Sequence, residues 1–171
     1  MIAFRTPDAH DAATLAELGR SSFVDAFGHL YTPDDLGAFL ESAYSAAALK
    51  ADLANPDRLF RVAEEDGVMI GYCKLGLDLS LDYDPKGLRI MELKQLYLRG
   101  SRTGSGVGAS FMDWALKEGR DRGFDAILLS VWSENHGAQR FYARYGFEKW
   151  GDTVFMVGKQ ADAEFLFGLR L

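Results

Sequence analysis

Cysteine is nearly absent. The chain holds one, Cys73, so no intrachain disulfide can form and nothing points to an oxidising compartment. Cys73 lies in the apolar run Met69-Ile70-Gly71-Tyr72-Cys73 and reads as a buried, inert thiol rather than a nucleophile. Histidine is scarce as well: His10, His29 and His136 are not paired at metal-ligand spacing, and no metal site is expected. A basic excess is missing. The formal net charge is −6, which argues against nucleic acid as a partner, because phosphate neutralisation needs a basic face. The acidic balance suits a cationic substrate, and it serves solubility equally well. The N-terminus lacks a signal-peptide core and no apolar run can span a bilayer, so a cytoplasmic location without a membrane partner is expected. Repeats, low-complexity tracts and linkers are also lacking. Residues 1–171 therefore read as one domain, and 48% hydrophobic residues suffice for a core.

What is present is an order of elements. Ile2 to Arg5 suggests a strand, ended by Thr6-Pro7. Asp8 to about Phe27 reads as a helix, with Leu15, Leu18 and Phe23 on a common face. Thr32-Pro33-Asp34-Asp35 is a helix start: a capping hydroxyl, proline at the first position, then acids near the positive end of the dipole. Ser45 opens another helix that Pro56 closes. Leu59 to Glu64 and Val68 to Leu75 form a hairpin about Asp66-Gly67, and residues 78–87 read as a loop. Met91 to Leu98 is a strand, followed by a glycine-rich stretch and a helix to about Arg122. Ala126 to Trp132 is a buried strand, and Asn135 to Tyr145 is a helix ended by Gly146. Thr153 to Val157 and Glu164 to Leu169 close the chain as strands. The class is α+β, with a mixed, mostly antiparallel sheet flanked by helices.

The stretch Gly100-Ser101-Arg102-Thr103-Gly104-Ser105-Gly106-Val107-Gly108 carries the most information. Glycines let the backbone turn tightly and approach a ligand, and the unpaired amides at the start of the next helix favour an anion such as a pyrophosphate. Gly104-x-Gly106-x-x-Ala109 also matches a dinucleotide fingerprint, but Arg99 to Thr103 separate it from the strand and no ribose-binding acid follows at the usual distance. A phosphate-binding Gly-Lys-Ser/Thr run is missing too.

Downstream stands Asn135-His136-x-Ala138-x-x-Phe141-Tyr142-x-x-x-Gly146-Phe147. Together with the glycine loop, this resembles the GNAT superfamily of N-acetyltransferases, whose signature is Gln/Arg-x-x-Gly-x-Gly/Ala. Gly106 and Gly108 fill the two glycine positions; Thr103 stands where the family has Arg or Gln. Glu92-Leu93-x-x-Leu96-Tyr97-Leu98, Val131-Trp132-x-x-Asn135-His136 and Gly151-x-x-x-Phe155-x-Val157-Gly158 look like the PaiA-type polyamine acetyltransferases. Family members often carry acids after that last glycine, where this chain has Lys159-Gln160.

The resemblance implies the GNAT acyl-CoA N-acyltransferase fold and acetyl-CoA as cosubstrate. It implies direct transfer in a ternary complex to a primary amine, a polyamine or other small cationic amine first. Such a transfer needs the amine deprotonated, the thioester carbonyl polarised and the leaving thiolate protonated. On the resemblance, Glu92 is the expected base, acting through water, and Tyr142 the expected acid. A structural alternative stands beside each: Glu92 pairing with Lys94 or Lys74, and Tyr142 packing as an aromatic. The phosphate loop comprises Arg102, Thr103, Gly104, Ser105, Gly106, Val107 and Gly108. Backbone groups of Leu96, Tyr97 and Leu98 would serve the pantetheine arm, and Asn135 would cap its helix and reach pantetheine. Two other functions stay open: a catalytically quiet acetyl-CoA-binding regulator, and an enzyme acetylating a protein amine. Self-association into a homodimer stays open as well.

Overall fold

In the computed structural model, which describes residues 1–171, seven strands form one sheet in the order β1-β2-β3-β4-β5-β7-β6. They are β1 Ile2–Arg5, β2 Arg58–Glu65, β3 Val68–Gly76, β4 Ile90–Leu98, β5 Ala126–Trp132, β6 Glu148–Val157 and β7 Gln160–Arg170. All neighbours are antiparallel except β4 and β5. The mostly antiparallel α+β class expected from the sequence is the one observed. The β2–β3 hairpin turns on Asp66 and Gly67, both at positive φ (52° and 79°), the backbone that matches strand twist in a two-residue connection.

Five helices flank the sheet: α1 Ala12–Phe27, α2 Pro33–Ala43, α3 Ala46–Ala54, α4 Val107–Asp121 and α5 His136–Arg144. Strand alternation divides them between the two faces. Val62 and Tyr72 pack with α1, α2 and α3, while their neighbours Ala63 and Cys73 pack under α4. The helix starts lie where their capping residues predict. Thr32 and Ser45 accept from Asp35 N (3.3 Å) and Ala48 N (3.1 Å), each cap worth about 1 kcal/mol. The first helix begins later than Asp8, because Asp8 and Asp11 cap each other around a short 3-10 turn, Ala9–Asp11.

The closing hairpin is longer than expected, starting at Glu148 rather than Thr153 and at Gln160 rather than Glu164. Strand β6 is an edge whose first half carries its polar residues in runs, Glu148-Lys149 and Asp152-Thr153, so its apolar pattern is thin there. Trp150 lies flat on Gly168 of β7: a Cβ there would stand 2.1 Å from the indole. The loop at 77–89 is anchored through Leu79, Leu81, Tyr83 and Leu88, which pack with Trp150 over Ile90, Leu128 and Leu166.

The feature that positions a site is the parting of β4 from β5. They pair only at Ile90–Ala126, Met91–Ile127 and Glu92–Leu128. Beyond that, β4 runs on to Leu98 and β5 to Trp132 without pairing. The β3–β4 register skips Lys94, a bulge at the point of divergence, and bulges bend the strand that carries them.

Candidate active site

The parted strands leave a cavity of about 820 Å³ that passes from one face of the sheet to the other. On the α4–α5 side Leu96, Leu98, Leu129 and Val131 meet Phe141 and Tyr142. On the α1–α2 side it is lined by Gln95, Tyr97, Ser130 and Trp132, with Phe27 edge-on to Trp132 at 5.8 Å. Strand β4 already uses its outer edge for β3, and β5 uses its outer edge for β7. Their facing edges therefore present unshared N–H and C=O groups to whatever extended molecule lies between them.

One wall is held rigid by phenols. Tyr72 Oη donates to Gln95 Oε1 (2.8 Å), Gln95 Nε2 donates to Tyr44 Oη (3.2 Å), and the Tyr44 and Tyr97 hydroxyls share a 2.8 Å bond. Burial pushes the Tyr97 phenol up to about 12. The network fits only because residue 19 is glycine: a Cβ there would stand 2.6 Å from the Tyr44 ring and 2.9 Å from the Tyr72 hydroxyl.

At the α4 end, Thr103, Gly104, Gly106 and Gly108 line the cavity. Gly104 and Gly106 sit at φ 81° and 87°, the left-handed region that only glycine adopts freely. Unlike α2, α3 and α5, helix α4 has no side chain capping its first amides. Those amides and the positive end of a fifteen-residue helix fit an anion such as a pyrophosphate. The rest of the loop is structural. Val107 is core, Ser105 turns back to the Arg102 carbonyl, and Arg102 leaves the cavity to pair with Glu65. Thr103 Oγ1 donates to Gly100 O at 3.0 Å, bracing the turn from within.

Leu96, Tyr97, Leu98 and Asn135, the residues expected to serve the pantetheine arm, all line the cavity. Asn135 Oδ1 accepts from Ala138 N at 3.2 Å, and its amide nitrogen is left uncommitted. Tyr142 also lines the cavity, and its hydroxyl makes no hydrogen bond within the protein. Burial pushes its phenol well above the usual range, so it is protonated at neutral pH and has a proton to give. His136 lies outside, 3.8 Å from Glu134.

Glu92, expected as the base, does not line the cavity. It is 4% exposed and its oxygens are engaged. Oε1 accepts from Ser80 N (3.0 Å), Ser80 Oγ (2.9 Å) and Leu81 N (3.1 Å), and Oε2 pairs with Lys94 Nζ at 2.7 Å. The 77–89 loop closes over this carboxylate, which speaks against proton abstraction by Glu92 and for its pinning the loop to β4.

Two carboxylates that the sequence reasoning missed do line the cavity: Asp162 and Glu164, on β7. Asp162 is 7% exposed and accepts from Tyr31 Oη (2.5 Å) and Gln160 Nε2 (3.1 Å). Glu164 stands opposite Trp132, the last residue of β5. Burial raises its pKa, the Ser130 side chain lowers it, and the charge of Asp162 raises it. Neither carboxylate is paired with a lysine, arginine or histidine. The usable signal was the alternation Asp162-x-Glu164-x-Leu166 against Phe165-x-Phe167-x-Leu169, which becomes visible only once β7 is taken back to Gln160.

The acetyltransferase (GNAT) family model matches residues 24–147. This chain belongs to the GNAT acetyltransferase family. It is 32% identical over 158 residues to an uncharacterised N-acetyltransferase of Lactobacillus delbrueckii subsp. lactis, covering 91% of this chain and 90% of the relative. It is 30% identical to one of Mycobacterium tuberculosis, covering 91% and 95%. Among solved structures, a PaiA N-acetyltransferase from Thermoplasma acidophilum in complex with coenzyme A aligns with TM-score 0.77 at 22% identity, covering 100% and 99%. Arabidopsis thaliana NAA60 with a bisubstrate analogue aligns with TM-score 0.77 at 16% identity, covering 99% and 98%. The protein is thus a GNAT N-acetyltransferase that uses acetyl-CoA as cosubstrate. Asp162 and Glu164 fall outside the matched residues, on the α1–α2 side of the cavity.

Proposed function

We propose that the enzyme acetylates a primary amine of a small cationic acceptor, a polyamine first among them. One observation carries this reading: two carboxylates without cationic partners, Asp162 and Glu164, share a cavity wall with Phe27, Tyr31, Trp132 and Phe155. Acid and aromatic surface together attract ammonium groups, through charge and through the ring quadrupole. The acyl donor takes the opposite end. Amides of Thr103 to Gly108 hold the pyrophosphate, and the free edge of Leu96 to Leu98 and the Asn135 amide hold the pantetheine arm. This orders donor and acceptor on opposite faces of the sheet, with the thioester in the gap between the strands. Tyr142 protonates the departing sulfur. Acetyl-CoA turnover against polyamines, aminoglycosides, amino acids and peptides tests the reading. Polyamines should give the highest kcat/KM. Turnover confined to peptides would move the function to protein amines, and acetyl-CoA binding without any turnover would make the protein a regulator.

A further inference from the structure

Direct transfer requires a group that removes a proton from the incoming ammonium, and Glu92 is buried away from the cavity. The candidates are the ionisable groups that line the cavity away from α4 and α5: Tyr31, Lys94, Tyr97, Asp162 and Glu164. Lys94 is committed as a donor to Glu92 (2.7 Å) and Ser80 (2.8 Å). Tyr31 and Tyr97 are phenols held protonated at neutral pH, since burial raises both. Asp162 has two donors already fixed on its oxygens, Tyr31 and Gln160, and so serves as a stationary negative charge. Glu164 remains. It is half-buried at the mouth of the gap, two residues along the same strand face from Asp162 and level with the end of β5.

We propose that Glu164 is the catalytic base of this enzyme, and that Asp162, fixed by Tyr31, is the charge that seats a cationic acceptor beside it. The inference rests on the proposed cationic amine acceptor. The groups facing Glu164 are Asp162 on its own strand, Ser130 on β5, Tyr97 on β4 and Tyr31 from the segment after α1. None of them carries a positive charge. Burial and the neighbouring carboxylate hold Glu164 above the usual glutamate range, which makes it a stronger proton acceptor than a surface carboxylate.

The step balances as follows. Glu164 takes one proton from the ammonium, and the freed nitrogen lone pair forms the C–N bond at the thioester carbonyl. The C–S bond breaks with its electron pair going to sulfur, and Tyr142 gives sulfur a proton. Tyr142 is restored by the second proton lost from nitrogen, and Glu164 releases its own to water. One acetyl group has moved, and one proton leaves for each ammonium consumed.

The test is the pH dependence of kcat, with spermidine and acetyl-CoA as substrates, for wild type, Glu164→Gln and Asp162→Asn. Glu164→Gln should lower kcat by about a hundredfold near neutral pH, in the range of acid–base groups. The deficit should narrow as pH rises and the amine ionises unaided. Asp162→Asn should raise KM for spermidine about tenfold or more and, by removing a charge that holds Glu164 up, move the acid limb of the kcat–pH profile to lower pH without abolishing it. CoA affinity, read by calorimetry, should be unchanged in both. A Glu164→Gln enzyme with raised KM but wild-type kcat at every pH would overturn the inference and leave Glu164 as a binding residue. Should that variant fail to bind CoA, Glu164→Asp keeps the carboxylate and decides the matter. Its kcat should fall several-fold with the wild-type pH profile, and an unchanged kcat would count against Glu164. Wild-type enzyme inactive on every small cationic amine would instead remove the acceptor reading itself.

Discussion

Replacing Glu92 with glutamine separates a structural carboxylate from a catalytic one. The side chain keeps its size, and Oε1 still accepts from the Ser80 and Leu81 amides (3.0 and 3.1 Å). What is lost is the partner of Lys94. Oε2, 2.7 Å from Lys94 Nζ, becomes an NH2 group that faces an ammonium, donor against donor. Both side chains are largely shielded from solvent, at 6% and 15% exposed, so the pair is not a screened surface bridge. Breaking one partner of such a pair costs about 3 kcal/mol, at the low end because Lys94 keeps a 2.8 Å bond to Ser80 Oγ. In a chain of this size that lowers Tm by about 6–12 °C. Thermal unfolding followed by circular dichroism reads the shift, and kcat for an amine acceptor below the Tm should stay within a few-fold of wild type across pH. A variant with wild-type Tm and a kcat that collapses at low pH would refute the reasoning and return Glu92 to the role of base.

Tyr142→Phe keeps the ring packed against Phe147 (5.7 Å) and removes only the hydroxyl. Turnover should fall about a hundredfold with CoA affinity unchanged, as steady-state kinetics and calorimetry will show. Gly106→Val has open space for its Cβ but must hold φ near 87°, which a branched residue resists by about 1–3 kcal/mol. CoA binding by calorimetry should weaken at least tenfold, while Ser105→Ala should leave it unmoved. Tyr31→Phe removes the 2.5 Å bond to Asp162 and should raise KM for a cationic acceptor more than it lowers kcat. Glu164→Gln carries a stability signature too. Its folded-state pKa is raised, so wild type loses stability as pH climbs from 4.5 through that higher value, because the ionised form is the one burial disfavours. The variant should therefore have the higher Tm at neutral pH, and the gap should close below about pH 4.5.

How far the sequence could be read depends on which physics set each element. Helix starts at Thr32, Ser45 and Asn135 are local events, a side-chain oxygen meeting an amide three residues on, and they stand where the sequence puts them. The Asp66-Gly67 turn and the core strand Ala126 to Trp132 are local in the same sense. The glycine loop was legible because left-handed φ at Gly104 and Gly106 has one cheap solution. The edge hairpin was not, since Glu148 to Asp152 and Gln160 to Ala163 hold no unbroken apolar alternation and owe their strand form to partners elsewhere in the hairpin, Phe165 to Gly168 for the first and Val154 to Val157 for the second. That omission hid Asp162, whose significance comes from a contact with Tyr31 across 131 positions of chain. Glu164 stood at the expected start of its strand, but its place opposite Trp132 follows only from the pairing with β5. Glu92 shows the converse. Its position before the loop made it a candidate base, yet what decides its chemistry is a segment twelve residues earlier, Ser80 and its neighbour, folding back over it. The proposed donor half of the cavity is thus written in short-range signals, and the proposed acceptor half arises where β7, the segment after α1 and the end of β5 meet. Substrate choice in this chain should accordingly respond to changes at residues 27–31, 130–132 and 162–164 while the loop at 103–108 is left untouched. Swapping the carboxylates at 162 and 164 for amides together should shift preference from cationic toward neutral amines without altering CoA affinity. A competition assay between a diamine and a monoamine reads that shift, and an unaltered preference would mean that the acceptor is chosen elsewhere.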